Sequence, residues 1–320
     1  MPEPNSSAFS FVGDSDLTRL AEADIDDVLS YLHGGLKKLP DYGSLYRRYL
    51  RQRWDVYDVD FTVDAAHWQE RLTETERSAF LAVASGLHHG EQQVEEALPV
   101  FMLGATEEEN VFIASQIEDE ARHTVFFDRF YREVVGVRGD TIKDVLNASY
   151  PHLSETFVGP FGLLACQAEE LRMNPHDQAA RVRYGTTYFM WIEGVLALSV
   201  MKVTLTFCRT RGVLPGYYAG FTATCRDEAR HVQGGMRFLS DAVRANPAML
   251  AEIHRTLRTI LWLAAAASRP TSYEPLGWTR EGVQTLMLTQ LRRKLGDVGI
   301  SLPLELSLLA EQVQPEIAGG

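Results

Sequence analysis

The chain has 320 residues, 45% hydrophobic and 23% charged, with a net charge of -12. That is enough apolar material for a large core, and the acidic balance argues against nucleic acid and other polyanions as partners. Three scattered cysteines, Cys166, Cys208 and Cys225, form neither a disulfide framework nor a zinc pattern and fit a reducing, cytoplasmic setting.

The pattern is helical nearly throughout, with no strand-rich segment. Residues 1–40 read as an N-terminal extension, flexible over 1–12 and helical over 16–38, ended by Pro40. No basic segment followed by an apolar stretch opens the chain, so no signal peptide is expected. Residues 41–300 read as one helical domain and 301–320 as a tail. Within the domain, 41–63 gives a short helix and an extended lead-in. Thr73-Glu74-Thr75-Glu76 is a capping-box signature that starts a helix over 74–103, closed by Gly104. Thr106-Glu107-Glu108-Glu109 repeats it and opens a helix over 107–135, ended by Gly136. A helix over 153–172 contains Gly159-Pro160, where a kink or break is expected. Further helices follow over 177–210, stopped by Gly212 and Pro215, then over 216–244, 248–267 and 279–296. The most apolar run, 260–267, is too short to span a bilayer, and no membrane span is expected.

The five residues Asp119-Glu120-Ala121-Arg122-His123 recur as Asp227-Glu228-Ala229-Arg230-His231. Each copy holds a Glu-x-x-His pair, whose members share one helix face a turn apart. A carboxylate and an imidazole so placed grip one metal ion. Two such pairs, each with a further Glu from a partner helix, form the carboxylate-bridged dinuclear site of a four-helix bundle. Hairpin arithmetic supplies the further residues. Glu91 and Glu120 are equidistant from a turn at Ala105 and Thr106, and Glu193 and Glu228 from one at Thr210 and Arg211. Packing the two hairpins together gathers Glu91, Glu120, His123, Glu193, Glu228 and His231. Such oxygen and nitrogen donors suit manganese and iron, and dioxygen activation is the chemistry this inventory suggests. Glu95 and Glu96 compete with Glu91. Glu193 stands apart, because an ionised carboxylate in the apolar run 188–198 is costly unless paired or metal-bound. The competing reading is a bundle held by Glu–Arg ion pairs through Arg122 and Arg230. Asp119 and Asp227 are candidates to accept from the far nitrogen of a ligand histidine.

The order Glu91, Glu120-x-x-His123, Glu193, Glu228-x-x-His231 resembles the ferritin-like superfamily that contains the ribonucleotide reductase small subunit, over about residues 50–265. The implied fold is all-α, a ferritin-like four-helix bundle core with additional helices. By the same resemblance, Trp54 marks an electron path through Asp227 and His123, which makes Asp227 the better histidine partner. Phe127 stands where reductases carry their radical tyrosine, and a phenylalanine forms no phenoxyl radical. With Glu91 at a position where many reductases have Asp, the chain is similar to a second branch, the ligand-binding oxidases that look like reductase small subunits. That branch implies a manganese–iron or di-iron site, a long-chain fatty acid or similar hydrophobic molecule beside it, and a valine–tyrosine ether cross-link formed when the reduced metals meet dioxygen.

Val94, three residues after Glu91, and Tyr188, five before Glu193, match the cross-linked pair. Five residues turn about 140° round an α-helix, so spacing alone does not single out Tyr188, and Tyr184 competes. In the family's arrangement Glu91, Glu120 and His123 hold manganese. Glu193, Glu228 and His231 hold iron, with Glu120 bridging. Phe101, Met190 and Trp191 are candidate lining residues of a substrate channel, and a homodimer is implied. Other readings stay open. A reductase small subunit lacking the radical tyrosine would need an aromatic docking residue in its tail, and 311–320 has none. An N-oxygenase, a desaturase and a non-enzymatic metal-binding protein complete the alternatives. The turn before Thr106 is shorter than expected in the oxidase branch, and Gln92 and Gln93 depart from the residues expected after the ligand Glu.

Overall fold

The structure is a computed structural model that describes residues 15–267 and 271–303. Every regular element among the described residues is helical. In chain order these are α1 (Leu17–Leu20), α2 (Ile25–Lys37), α3 (Tyr42–Gln52), α4 (Thr62–Glu70), α5 (Glu74–Ala97), α6 (Pro99–Met102) and α7 (Glu107–Phe130). There follow α8 (Ile142–Ser149), α9 (Glu155–Met173), α10 (Gln178–Gly185), α11 (Leu198–Arg211), α12 (Pro215–Ala245), α13 (Met249–Ala265) and α14 (Arg280–Asp297). Three 3-10 turns, Val56–Asp58, Tyr150–His152 and Glu274–Leu276, and two π-helical stretches complete the set. Tyr131–Val135 extends α7, and Thr186–Ala197 joins α10 to α11 in one unbroken helix.

The local signals act as their chemistry requires. Thr73 and Thr106 each accept from the backbone of the glutamate three residues on, and Glu76 and Glu109 accept in return, so both capping boxes form. The helix expected over 74–103 stops at Ala97 and resumes for one turn at Pro99, because proline offers no N–H to the preceding turn. The helix expected over 16–38 is two, with Asp24 capping the second. Conversely, α9 runs unbroken through Pro160, where a kink or break was expected. Helices α4 and α8 fall where no helix was expected; α8 starts on a Thr141–Asp144 capping box. Only 301–303 of the expected tail, and none of the lead over 1–12, lie within the described residues.

Two antiparallel pairs make the core. Helix α5 packs on α7, the long helix α10–α11 packs on α12, and α7 meets α12 to join the pairs. Helix α9 packs against both α5 and the Thr186–Ala197 segment. Val28, Leu32 and Leu36 of α2 are buried, with α2 lying on α12. An aromatic seam of Trp68, Phe80, Phe126, Phe130 and Tyr217 fills the lower interior with rings 4.9–5.9 Å apart in contacting pairs. Each such side chain contributes about 1.5–3 kcal/mol on burial. The stretch Gln178–Arg211 is long and apolar enough to cross a membrane, yet 83% of its most apolar window is buried inside the fold, as in a core helix.

Candidate metal centre

The two motif copies face each other at the centre of the bundle. On α7, Glu120 and His123 lie one turn apart, as do Glu228 and His231 on α12; α5 supplies Glu91 and the π-helical segment supplies Glu193. All six side chains are buried. His123 Nδ1 lies 3.5 Å from Glu91 Oε2, 3.6 Å from Glu120 Oε2 and 3.3 Å from Glu228 Oε1. His231 Nδ1 lies 3.2 Å from Glu120 Oε1, 3.5 Å from Glu193 Oε1 and 3.7 Å from Glu228 Oε2. Two donor groups result, one of Glu91, Glu120, His123 and Glu228, the other of Glu120, Glu193, Glu228 and His231. Glu120 and Glu228 each turn one oxygen to each histidine. Both carboxylates therefore belong to both donor groups; the resemblance named Glu120 as bridging. Glu95 instead lies 3.4 Å from Thr124 Oγ1, and Glu96 is exposed.

A metal pair fits these atoms. Nδ1 of His123, Nδ1 of His231, Oε2 of Glu193 and Oε2 of Glu228 are buried without a hydrogen-bond partner, a state that buried polar atoms rarely tolerate. Burial pushes the Glu91 and Glu193 carboxyls well above the usual range. It would raise Glu120 too, but the His123 and His231 contacts hold Glu120 well below that range. Burial alone would lower both imidazoles; His123 is instead raised well above its usual value by Glu91 and Asp227, and His231 by Asp119 and Glu120. Without ions the cluster thus keeps protons among its carboxylates and imidazoles, and metal binding must displace them.

The outer nitrogens explain the rest of the repeated motif. His231 Nε2 lies 3.0 Å from Asp119 Oδ2, and His123 Nε2 lies 3.3 Å from Asp227 Oδ2. Each aspartate thus serves the histidine of the other copy. A ring of charge closes around them. Arg122 donates to Asp119 and, at 3.1 Å, to Asp227; Arg230 donates to Asp119 and, at 3.2 Å, to Asp227. Burial alone would raise Asp227, but Arg230, His123 and Arg122 hold it well below the usual carboxylate range. Arg122 also pairs with Glu118 at 2.5 Å outside the cluster, but Arg122 and Arg230 otherwise form ion pairs with these aspartates, so Glu–Arg ion pairs are not what holds the six clustered side chains together. Trp54 Nε1 donates to Asp227 Oδ2 at 2.8 Å, which extends the chain from His123 to a buried indole.

Tyr188 reaches the site through the geometry of its segment. A π-helix bonds residue i to i+5, so residues five apart stack on one face. Tyr188 and Glu193 have that spacing within Thr186–Ala197. Gln116 Nε2 donates to Tyr188 Oη at 2.6 Å and to Glu193 Oε1 at 2.8 Å, while Tyr188 Oη donates to Glu120 Oε1 at 2.9 Å. Gln116 escaped the sequence reading, although it lies one turn before Glu120 on the same face. Tyr184 stacks on Phe101 at 5.5 Å, and its hydroxyl has no partner. Val94 and Tyr188 line one cavity of about 30 Å³ with Glu91, Glu120, Glu193 and Glu228. Its apolar walls are Leu87, Phe157, Phe161, Ile192 and Leu196. The expected lining residues Phe101, Met190 and Trp191 are not among them; Phe101 packs instead on Phe189 and Phe238. Phe127 is fully buried between His88, Phe126 and Phe221.

No family model matches the chain. Solved structures of R2-like ligand-binding oxidases are similar to it. One from Sulfolobus acidocaldarius is 21% identical, covering 86% of this chain and 94% of that one with a TM-score of 0.70. A valine-to-leucine variant with an anaerobically reconstituted Mn/Fe cofactor is 22% identical, covering 81% and 93% with a TM-score of 0.67. A valine-to-isoleucine variant with the same cofactor is 20% identical, covering 85% and 93% with a TM-score of 0.65. At these identities the likeness establishes the architecture: the chain has the all-α, ferritin-like fold of the R2-like ligand-binding oxidases.

Proposed function

We propose that the chain is a dioxygen-activating oxidase with a dinuclear manganese–iron or di-iron site that performs two-electron C–H oxidation. The observation that carries this reading is the pair of donor groups sharing Glu120 and Glu228, beside a cavity lined by Val94 and Tyr188. Glu91, Glu120, His123 and Glu228 would hold one ion, and Glu120, Glu193, Glu228 and His231 the other. Structures of the same fold carry reconstituted Mn/Fe cofactors, which supports a manganese–iron pair; the resemblance puts manganese beside His123 and iron beside His231. When bound, the metal pair supplies dioxygen binding and activation.

The side chains do the rest. Glu120 accepts from the Tyr188 hydroxyl, and Gln116 fixes that hydroxyl from the other side. Tyr188 is thus oriented with an acceptor ready for its proton. In the cross-link a Val94 C–H bond and the Tyr188 O–H bond break and a C–O bond forms. Two protons and two electrons leave, and dioxygen is the oxidant that takes them. Phe127 leaves no oxidisable phenol one turn beyond His123, which favours this chemistry over a stored tyrosyl radical. The chain Trp54–Asp227–His123 offers incoming electrons a route; it also fits the alternative reading, a reductase small subunit. The external substrate is a hydrophobic small molecule, since the walls beyond the carboxylates are apolar. A long-chain fatty acid, which the resemblance implies, needs more room than about 30 Å³. A homodimer belongs to this reading, as does a reducing cytoplasm, in keeping with three unpaired cysteines.

Peptide mass spectrometry tests the proposal on protein loaded anaerobically with manganese and iron, before and after air. The expected product is a linked Val94–Tyr188 peptide two hydrogens lighter, absent before air and absent from Tyr188→Phe. Unmodified peptides from fully metallated, aerated protein would move the reading to a reductase subunit or another oxygenase.

A further inference from the structure

Four helical elements around the metal cavity carry ligands, and one wall does not. That wall is α9, which lies across α5 and the Thr186–Ala197 segment and contributes only Phe157 and Phe161 to the lining. The two rings are one helical turn apart and rest on two glycines of α5, also one turn apart. A Cβ on Gly86 would lie 2.5 Å from the Phe157 ring, and one on Gly90 would lie 2.7 Å from Phe161 Cζ. Any other residue at either position would force its ring to move. Glycine at both lets the rings lie directly on the helix backbone. Gln93, one turn beyond Gly90, donates Nε2 to the Phe161 carbonyl at 2.7 Å and ties α9 to α5 at that level. This contact gives an unexpected glutamine a task. What remains beside the carboxylates is about 30 Å³. A water needs about 10–15 Å³ on that measure, so the space suits dioxygen and a compact group. Pockets that enclose larger ligands run to roughly 300–1,000 Å³.

We infer that Phe157 and Phe161 set the size limit of the substrate site, excluding long unbranched chains and admitting only compact apolar molecules. The inference rests on the oxidase reading for the word substrate, and on the packing of α9 over Gly86 and Gly90 for the limit itself. Shortening the rings opens the space between α5 and the π-helical segment to an alkyl chain.

The test uses hexadecanoic acid and the full chain loaded with manganese and iron. Binding is followed by isothermal titration, and lipid retained through purification is extracted and identified by mass spectrometry. The wild type is expected to retain and bind no hexadecanoic acid. Phe157→Ala/Phe161→Ala is expected to bind one per chain, at least tenfold more tightly than any residual wild-type binding. Phe161→Leu, which keeps an apolar side chain on α9 and so guards against misfolding, is expected to show a smaller gain in the same direction. Wild-type protein holding one hexadecanoic acid per chain would overturn the limit. So would folded variants that bind it no better than the wild type. Metal content is measured on the same samples: a wild type without two ions per chain sinks the oxidase reading, while the contrast between wild type and variants still decides the size limit.

Discussion

Asp119 and Asp227 show what single residues do at this site. Each takes a hydrogen bond from the histidine of the opposite motif copy, and together they neutralise Arg122 and Arg230. Acceptors of this kind fix the histidine tautomer and raise its basicity, and losing one typically costs about 10–100-fold in metal affinity. Asp119→Asn should therefore weaken the ion beside His231, and Asp227→Asn the ion beside His123. Titration with manganese and iron, read by spectroscopy that separates the two positions, checks this; loss of the same ion in both variants would contradict the crossed pairing. The meeting of Glu91, Glu120, His123, Glu193, Glu228 and His231 was legible from sequence, because spacing and hairpin arithmetic are local facts. The crossing was not, because which aspartate meets which histidine depends on how two distant helices face each other. Gln116 was hidden for the same reason: its partners, Tyr188 and Glu193, lie on another helix.

The π-helical segment and α12 show how elements place those residues. In an α-helix Tyr188 and Glu193 would diverge; the i-to-i+5 ladder brings them to one face. Nothing in the apolar run around Glu193 distinguishes the two ladders, since both bury the same side chains. That is why Tyr188 was reached by resemblance and not by geometry. Helix α12, which carries Asp227, Glu228 and His231, starts without a side-chain cap of its own. Leu214 before it adopts φ 55°, and its N–H is held by His67 Nδ1 at 3.1 Å. Asp64 on α4 does the capping from outside, accepting from Gly216 N at 2.8 Å and Tyr217 N at 2.7 Å. Removing a cap costs about 0.5–2 kcal/mol, so Asp64→Ala should lower stability by that amount in urea unfolding. A loss within error would mean that Pro215 alone suffices to start the helix.

Across the whole molecule, buried neutral histidines add to the response to acid. Burial, chiefly, holds His88 down to about 3, and burial with Lys294 and Arg293 nearby holds His33 down to about 4. In the unfolded chain both titrate near 6.5. Between those values the unfolded state binds more protons, so stability rises with pH over the window and is lost as pH falls below about 6.5. For His88 the loss reaches up to about 3 kcal/mol by pH 4, at about 1.4 kcal/mol per unit. His88→Leu should flatten that part of the acid limb relative to wild type under identical metal loading. Parallel limbs in the two proteins would show that His88 contributes nothing to it. The all-α class and the core helix pairs were readable from periodicity and capping boxes. The wall formed by α9 was not, because two phenylalanines and two glycines signal nothing until they are opposed. The crossed Asp–His pairs also mean that the two repeats are not separable parts. Neither half of the chain owns a complete donor group, since each lends the acceptor that the other half's histidine faces. A change in one five-residue copy should therefore be felt at the donor group of the other, so the site is divided across the repeats and not between them.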